Sequence, residues 1–209
     1  MWSGEAGRYV DEKPQNIGIF GGTFNPPHLG HLALAREALK EFSLEKIFFI
    51  PAFMPPHKEP RNVIDAEHRM AMVKLLLEGD AGLELCDFEI TKKSVSYSID
   101  TVRYFKNEYP STKIHFLIGS DAFYNIDTWK QSQELMSLID FIIFPRAGNT
   151  KEMIARKFGN LSNVVYWAHT SLIHISSTDI RYRLRSGDDC AAELGADVAG
   201  YIRENKLYI

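Results

Sequence analysis

Cysteine is scarce in this 209-residue chain: Cys86 and Cys190 stand far apart and follow no zinc or redox spacing. That excludes a disulfide scaffold and predicts two unpaired thiols in a reducing cytosol. Long apolar runs are missing as well, none approaching the roughly eighteen residues that a membrane span needs. The opening Met1-Trp2-Ser3-Gly4-Glu5 has neither the basic nor the apolar region of a secretion signal. A cytoplasmic protein with no membrane partner is the expectation. Net charge is only -3, so no global field holds a polyanion and nucleic acid is not an expected partner. No internal repeat or low-complexity tract divides the chain.

What is present is ordinary globular composition, 45% hydrophobic and 24% charged. Residues 1–16 are polar, carry Gly4, Gly7 and Pro14, and read as an extension outside the core. From residue 17 to 209 one domain suffices. Short apolar runs at Ile17–Phe20, Ile47–Ile50, Ile114–Ile118 and Phe141–Phe144 read as buried strands. Between them, His31–Phe42, Asp65–Leu77 and Ser98–Glu108 place apolar residues at helical spacing. Alternating strands and helices predict right-handed crossovers, hence an α/β fold with a doubly wound parallel sheet. Ligands bind such sheets beyond the carboxyl ends of the strands, which points to the loops after Phe20, Ile50, Ile118 and Phe144.

The first of these loops, Gly21-Gly22-Thr23-Phe24-Asn25-Pro26-Pro27-His28-Leu29-Gly30-His31, leaves a strand and enters a helix. Glycines let a ligand approach the backbone, and a helix start offers unpaired N–H groups and a positive dipole end, which suits phosphate. His28 and His31, three apart, would share a face there. The Lys-Ser/Thr ending of a P-loop and the G-x-G-x-x-G of a dinucleotide site are both missing.

Near the other end, Ser176, Ser177 and Thr178 precede an amphipathic stretch, Ile180–Leu184, and read as a helix cap. Arg181, expected in the first turn, opposes the helix dipole and is more easily explained if an anion binds at that terminus. Arg185 can lie on the same face as Arg181; Arg183 cannot and reads as solvated surface. Two such helix starts could bracket a triphosphate from opposite sides.

The strings GGTFNPPHLGH and Ile175-Ser176-Ser177-Thr178-Asp179-Ile180-Arg181 resemble the paired H-x-G-H and I-S-S-T-x-I-R signatures of a nucleotidyltransferase superfamily. Within it, the chain resembles the bacterial-type nicotinate-mononucleotide adenylyltransferases through Met54-Pro55-Pro56-His57-Lys58, Asp87-Phe88-Glu89, Ser96-Tyr97-Ser98-Ile99-Asp100-Thr101, Ile118-Gly119-Ser120-Asp121 with Trp129, Phe144-Pro145-Arg146, Tyr201-Ile202 and Leu207-Tyr208. The resemblance spans residues 17 to 208. It implies a Rossmann-like nucleotidyltransferase fold and adenylyl transfer from ATP to nicotinate mononucleotide, giving the dinucleotide and pyrophosphate in NAD biosynthesis.

By the same resemblance His28, His31 and Arg181 are catalytic, and Gly21, Gly22, Thr23, Phe24, Ser176, Ser177 and Thr178 bind ATP. Lys58, Tyr97, Ser98, Gly119, Asp121 and Trp129 bind the mononucleotide. Magnesium enters on the phosphates of ATP, with no protein ligand assigned. The partners implied are these two small molecules, and a homo-oligomer is left open. Nicotinamide mononucleotide or another acceptor remains an alternative, as does a nucleotide sensor without catalysis.

Overall fold

The four apolar runs are the four central strands of a parallel sheet. The structure, a computed structural model, describes residues 13–56, 63–146, 148–159, 161, 165–169 and 175–209. Among these, six strands appear: β1 (Asn16–Gly22), β2 (Lys46–Pro51), β3 (Leu83–Leu85), β4 (Lys113–Gly119), β5 (Asp140–Phe144) and β6 (Val165–Trp167). Their spatial order is β3-β2-β1-β4-β5-β6, and every pairing is parallel. Central parallel strands are covered on both faces and so read as continuous apolar segments. The edge strands β3 and β6 have three residues each, too few to show a pattern.

The helices are α1 (Leu29–Glu41), α2 (Ala66–Leu77), α3 (Phe88–Lys92), α4 (Ser98–Glu108), α5 (Ser120–Tyr124), α6 (Ser132–Leu138), α7 (Lys151–Phe158), α8 (Ser177–Arg185), α9 (Ala191–Leu194) and α10 (Ala196–Glu204). Alternate residues of each strand face opposite ways. Phe20, Phe49, Leu117 and Ile142 pack with side chains of α1, α2, α8 and α10. Ile19, Ile50, Phe116 and Phe141 pack on the other face with those of α4, α6 and α7. Each such fully buried side chain contributes about 1.5–3 kcal/mol.

The expected extension meets the sheet at its last residue, because β1 begins at Asn16. Just before it, the Gln15 carbonyl accepts a hydrogen bond from Lys113 N–H at 2.8 Å. Residues 1–12 lie outside the described residues. The order 3-2-1-4-5-6 reverses direction between β1 and β4, and that switch point opens a crevice beyond the carboxyl ends of these strands. Gly22 and Gly119 end the two strands that flank it.

Candidate active site

The loop leaving β1 is held in shape by its own aromatic ring. Phe24 has φ +48°, a left-handed conformation uncommon outside glycine. Its ring packs over Gly22, where an added Cβ would stand 3.0 Å from Cζ. The missing side chain of Gly22 therefore makes room for the Phe24 ring. Phe24 itself is 3% exposed and belongs to the core with Phe20 and Phe49, so only its backbone can face a nucleotide. A Cβ added to Gly21 would meet nothing closer than an ordinary 3.5 Å contact with Phe116, and Thr23 presents its carbonyl to the buried Arg69.

Helix α1 starts earlier than the periodicity of its apolar residues suggests, with His28 as its N-cap and His31 in its first turn. Their rings stack, with centroids 3.7 Å apart. The His28 N–H donates to Nδ1 of His31 at 3.2 Å. A ring nitrogen that accepts is unprotonated, so in neutral His31 the proton sits on Nε2, a donor suited to an anion. His28 is buried, and burial first, then the nearby Arg146 guanidinium, lowers its pKa to about 4. It is neutral at pH 7.

The second motif forms the start of α8, with Ser176 as N-cap and its side-chain oxygen accepting from Thr178 N–H at 3.2 Å. Ser177 Oγ donates to the Pro26 carbonyl at 2.8 Å. Arg181 belongs to the second turn, not the first, but helical side chains slant toward the N-terminus. Its guanidinium accordingly reaches back to Thr178 Oγ1 at 3.3 Å and to the Asn25 carbonyl at 2.7 Å. The two motifs, more than 140 residues apart in sequence, are thus hydrogen-bonded to each other. Burial lowers the pKa of Arg181. Arg185 is exposed, whereas Arg183 is not free surface: it pairs with Asp188 at 2.7 Å and Glu193 at 2.6 Å.

Two residues without an expected role complete this lock. Arg69 of α2 is 1% exposed, and it donates to the carbonyls of Thr23 at 2.8 Å, Ile64 at 3.0 Å and Phe53 at 3.1 Å. A buried cation satisfied by backbone carbonyls fixes the loops after β1 and β2 together. Tyr208 Oη donates to Asn25 Oδ1 at 2.9 Å, tying the chain's end to the same loop.

Across the switch point, Tyr97, Ser98 and Trp129 line one pocket of about 410 Å³ with Ser96 and Lys130. Trp129 is half-buried and edge-on to Phe116, with centroids 6.1 Å apart. Gly119 and Asp121 sit outside that lining, at the end of β4 and the start of α5. A Cβ on Gly119 would stand 2.5 Å from Asp121 Oδ1 and 3.2 Å from Arg146 Cγ, so only glycine lets the three lie together. Arg146 follows β5, its N–H donating to Ser120 Oγ at 2.9 Å. Its position one residue past Phe144-Pro145 at a strand's carboxyl end was the available signal for placing it at the site. Lys58 lies outside the described residues. Among the described residues no three His, Cys, Asp or Glu side chains gather as a metal site. No helix there is long and apolar enough to cross a membrane.

A Rossmann-like sheet with imidazole and guanidinium donors converging at its switch point defines a nucleotidyltransferase, and the cytidylyltransferase-like family matches residues 19–183. Two solved Plasmodium falciparum structures of nicotinic acid mononucleotide adenylyltransferase, one complexed with NaAD and one with APC, superpose with TM-scores of 0.77 and 0.76 at 23% and 21% identity. Each pairing covers 93% of this chain and 97% of that chain. A Desulfitobacterium hafniense protein named "Probable nicotinate-nucleotide adenylyltransferase" is 38% identical over 95% of this chain and 98% of its own. A Clostridium botulinum protein of the same name is 37% identical over 92% and 98%. The chain belongs to the nicotinate-nucleotide adenylyltransferase family.

Proposed function

We propose that this protein transfers the adenylyl group of ATP to nicotinate mononucleotide, releasing pyrophosphate, as a step of NAD biosynthesis in the cytoplasm. The observation that carries this reading is the direct bonding of the two motifs, Ser177 and Arg181 to the carbonyls of Pro26 and Asn25, at the β1/β4 switch point. Residues 17–209 act as one catalytic unit on two small molecules, with no nucleic acid or membrane required.

In this reading Nε2–H of His31 meets the α-phosphate, neutral His28 supports it, and Arg181 holds the β- and γ-phosphates. Backbone N–H groups from Gly21 to Phe24, together with Ser176, Ser177 and Thr178, complete the cradle. Magnesium carried on the phosphate oxygens of ATP would supply charge neutralisation for the departing pyrophosphate, with no side chain assigned to hold it. Tyr97, Ser98 and Trp129 receive the pyridine ring, with Gly119 and Asp121 toward the ribose and Lys58 toward the acceptor phosphate.

A phosphate oxygen of the acceptor forms a bond to the α-phosphorus as the bond to the bridging oxygen breaks, and the electron pair leaves with pyrophosphate. The acceptor phosphate is ionised at neutral pH, so the chain's task is to position it and stabilise charge rather than to supply a strong base. Incubation with magnesium-ATP and nicotinate mononucleotide should yield pyrophosphate and the acid dinucleotide. ATP binding with no product from any pyridine mononucleotide would overturn the reading in favour of a sensor.

A further inference from the structure

The side chains of Tyr97 and Ser98 are half-buried, but the backbone that carries them is pinned from behind. Ser96 N–H donates to the Met54 carbonyl at 2.9 Å, and Val95 and Met54 form a parallel bridge, so this segment lies along the loop that follows β2. In that loop Phe53 is bonded on both sides through its own backbone. Its carbonyl accepts from Arg69 Nη2 at 3.1 Å, and its N–H donates to Ser96 Oγ at 2.9 Å. Arg69 also holds the Thr23 carbonyl at 2.8 Å. One continuous series of hydrogen bonds thus joins the phosphate loop to the residues that precede α4.

Glu89 of α3 anchors the far end of that series. It is buried behind the acceptor pocket and is not one of the described residues that line it. Its carboxyl accepts from Thr101 Oγ1, in the first turn of α4, at 2.5 Å. Burial raises the pKa of Glu89, and hydrogen bonds from the side chains of Thr101 and Ser96 oppose that rise. Lys92 lines the same hollow but gives its Nζ to Asp100 at 2.7 Å. A serine hydroxyl has one proton to donate. With Phe53 N–H on its oxygen and Glu89 taking its proton, Ser96 Oγ is fixed from two sides.

We propose that Glu89 is a positioning residue for the transfer step: acting through Ser96, it holds the start of α4 in register with the phosphate loop. This rests on the adenylyl-transfer reading above. In that reading ATP lies on the loop after β1 and the acceptor on the start of α4, so the link between them sets the distance between the reacting atoms. In-line attack needs those atoms about 3–3.5 Å apart, and a misplacement of about 1 Å costs up to about 10²-fold in rate. Affinity for either substrate depends on its own half of the cleft and is little affected. The Ala52 N–H to Gly22 carbonyl bond, 2.9 Å, does not involve Glu89, so its loss would loosen the register without detaching the loops.

The test compares steady-state kinetics and thermal melts of the full chain, E89L, E89Q, S96A and the E89L/S96A double variant, with magnesium-ATP and nicotinate mononucleotide. E89L fills the space but accepts no hydrogen bond, so kcat should fall about ten- to hundredfold while both KM values stay within about threefold of the parent. E89Q keeps an acceptor oxygen and should retain at least about a third of the parental kcat. S96A should reproduce the loss in kcat, and the double variant should lose no more than about twofold beyond the larger single loss, because the two side chains act as one link. A merely structural role would lower the melting midpoint of E89L and leave kcat of the folded enzyme within about threefold of the parent. That result, a loss confined to the KM of one substrate, or losses that multiply in the double variant would overturn the proposal while leaving adenylyl transfer intact. Should E89L fail to fold, S96A and E89Q decide: a loss in S96A with E89Q retained supports the link, and parental kcat in S96A overturns it. If the unaltered chain forms no dinucleotide, the functional reading fails and this inference with it.

Discussion

The end of the cleft proposed to take the polyphosphate and the end proposed to take the pyridine are built by opposite means. At the former, the carbonyls of Thr23, Asn25 and Pro26 accept from side chains of distant elements, Arg69, Arg181 and Ser177. Asn25 and His28 are each 3% exposed. At the pyridine end, Tyr97, Ser98, Trp129 and Lys130 are half-buried or exposed and sit at the termini of α4 and of a single 3-10 turn at Ile126–Thr128. In the proposed reaction, the part assigned to stabilise developing charge is fixed before substrate arrives, which spares reorganisation. The part proposed to receive the acceptor is held loosely, so its side chains can be exchanged without unfolding the sheet.

The sharpest way to break this contrast is at His31. His31→Ala removes a donor but leaves the carbonyl pins in place, so kcat should fall by about 10²–10³. The thermal midpoint should stay within a few degrees, and pyrophosphate release with circular dichroism melting reads both. A loss of activity that merely tracked unfolding would dissolve the distinction between a rigid cradle and its donors. Arg181→Met should follow at about 10² in kcat/KM for ATP, with Arg181→Lys recovering part of it because an ammonium supplies charge without the planar fork.

Acid should expose the same rigidity. His28 and His115 are both buried, and in the folded chain each pKa is lowered from 6.5 to about 4, burial being the largest cause. Between those values the unfolded chain binds more protons, so stability rises with pH and is lost as pH falls from 6.5 toward 4. Each group contributes a slope of up to about 1.4 kcal/mol per pH unit. His115 lies on β4 beside Lys113, at the end opposite Gly119. Denaturant titrations at several pH values should therefore show H115F flattening the curve by one group's share without changing turnover at pH 7. An unchanged slope would mean that His115 does not titrate with unfolding.

The contrast also explains which features could be read from the sequence. The central strands were legible because burial on both faces forces continuous apolar runs, while β3 and β6 were too short to carry a pattern. His28 and His31 stood out because Gly-Gly and Pro-Pro restrict the backbone before a helix. Arg69 gave no signal: its partners lie up to 46 residues away, and nothing local marks an arginine whose donors go to backbone carbonyls. At Gly22 the sequence does not show that the space left by the missing side chain is taken by the Phe24 ring. The pocket residues were placed only through resemblance, because a half-buried aromatic beside a short turn reads the same whether it is core or site.

The smallest effect is expected at the pyridine end itself. Trp129 touches Phe116 edge-on and is otherwise half-exposed in the pocket. Trp129→Leu should therefore cost little stability. An aromatic stack is worth about 0.5–1.5 kcal/mol beyond area, so kcat/KM for nicotinate mononucleotide should fall about three- to tenfold. The loss should be similar for the amide acceptor, since both rings are flat, and the KM of ATP should stay constant. A fall in ATP affinity of the same size would instead show that the two ends are mechanically coupled, because Phe116 also lies on β4 beside the β1 strand that carries the phosphate loop.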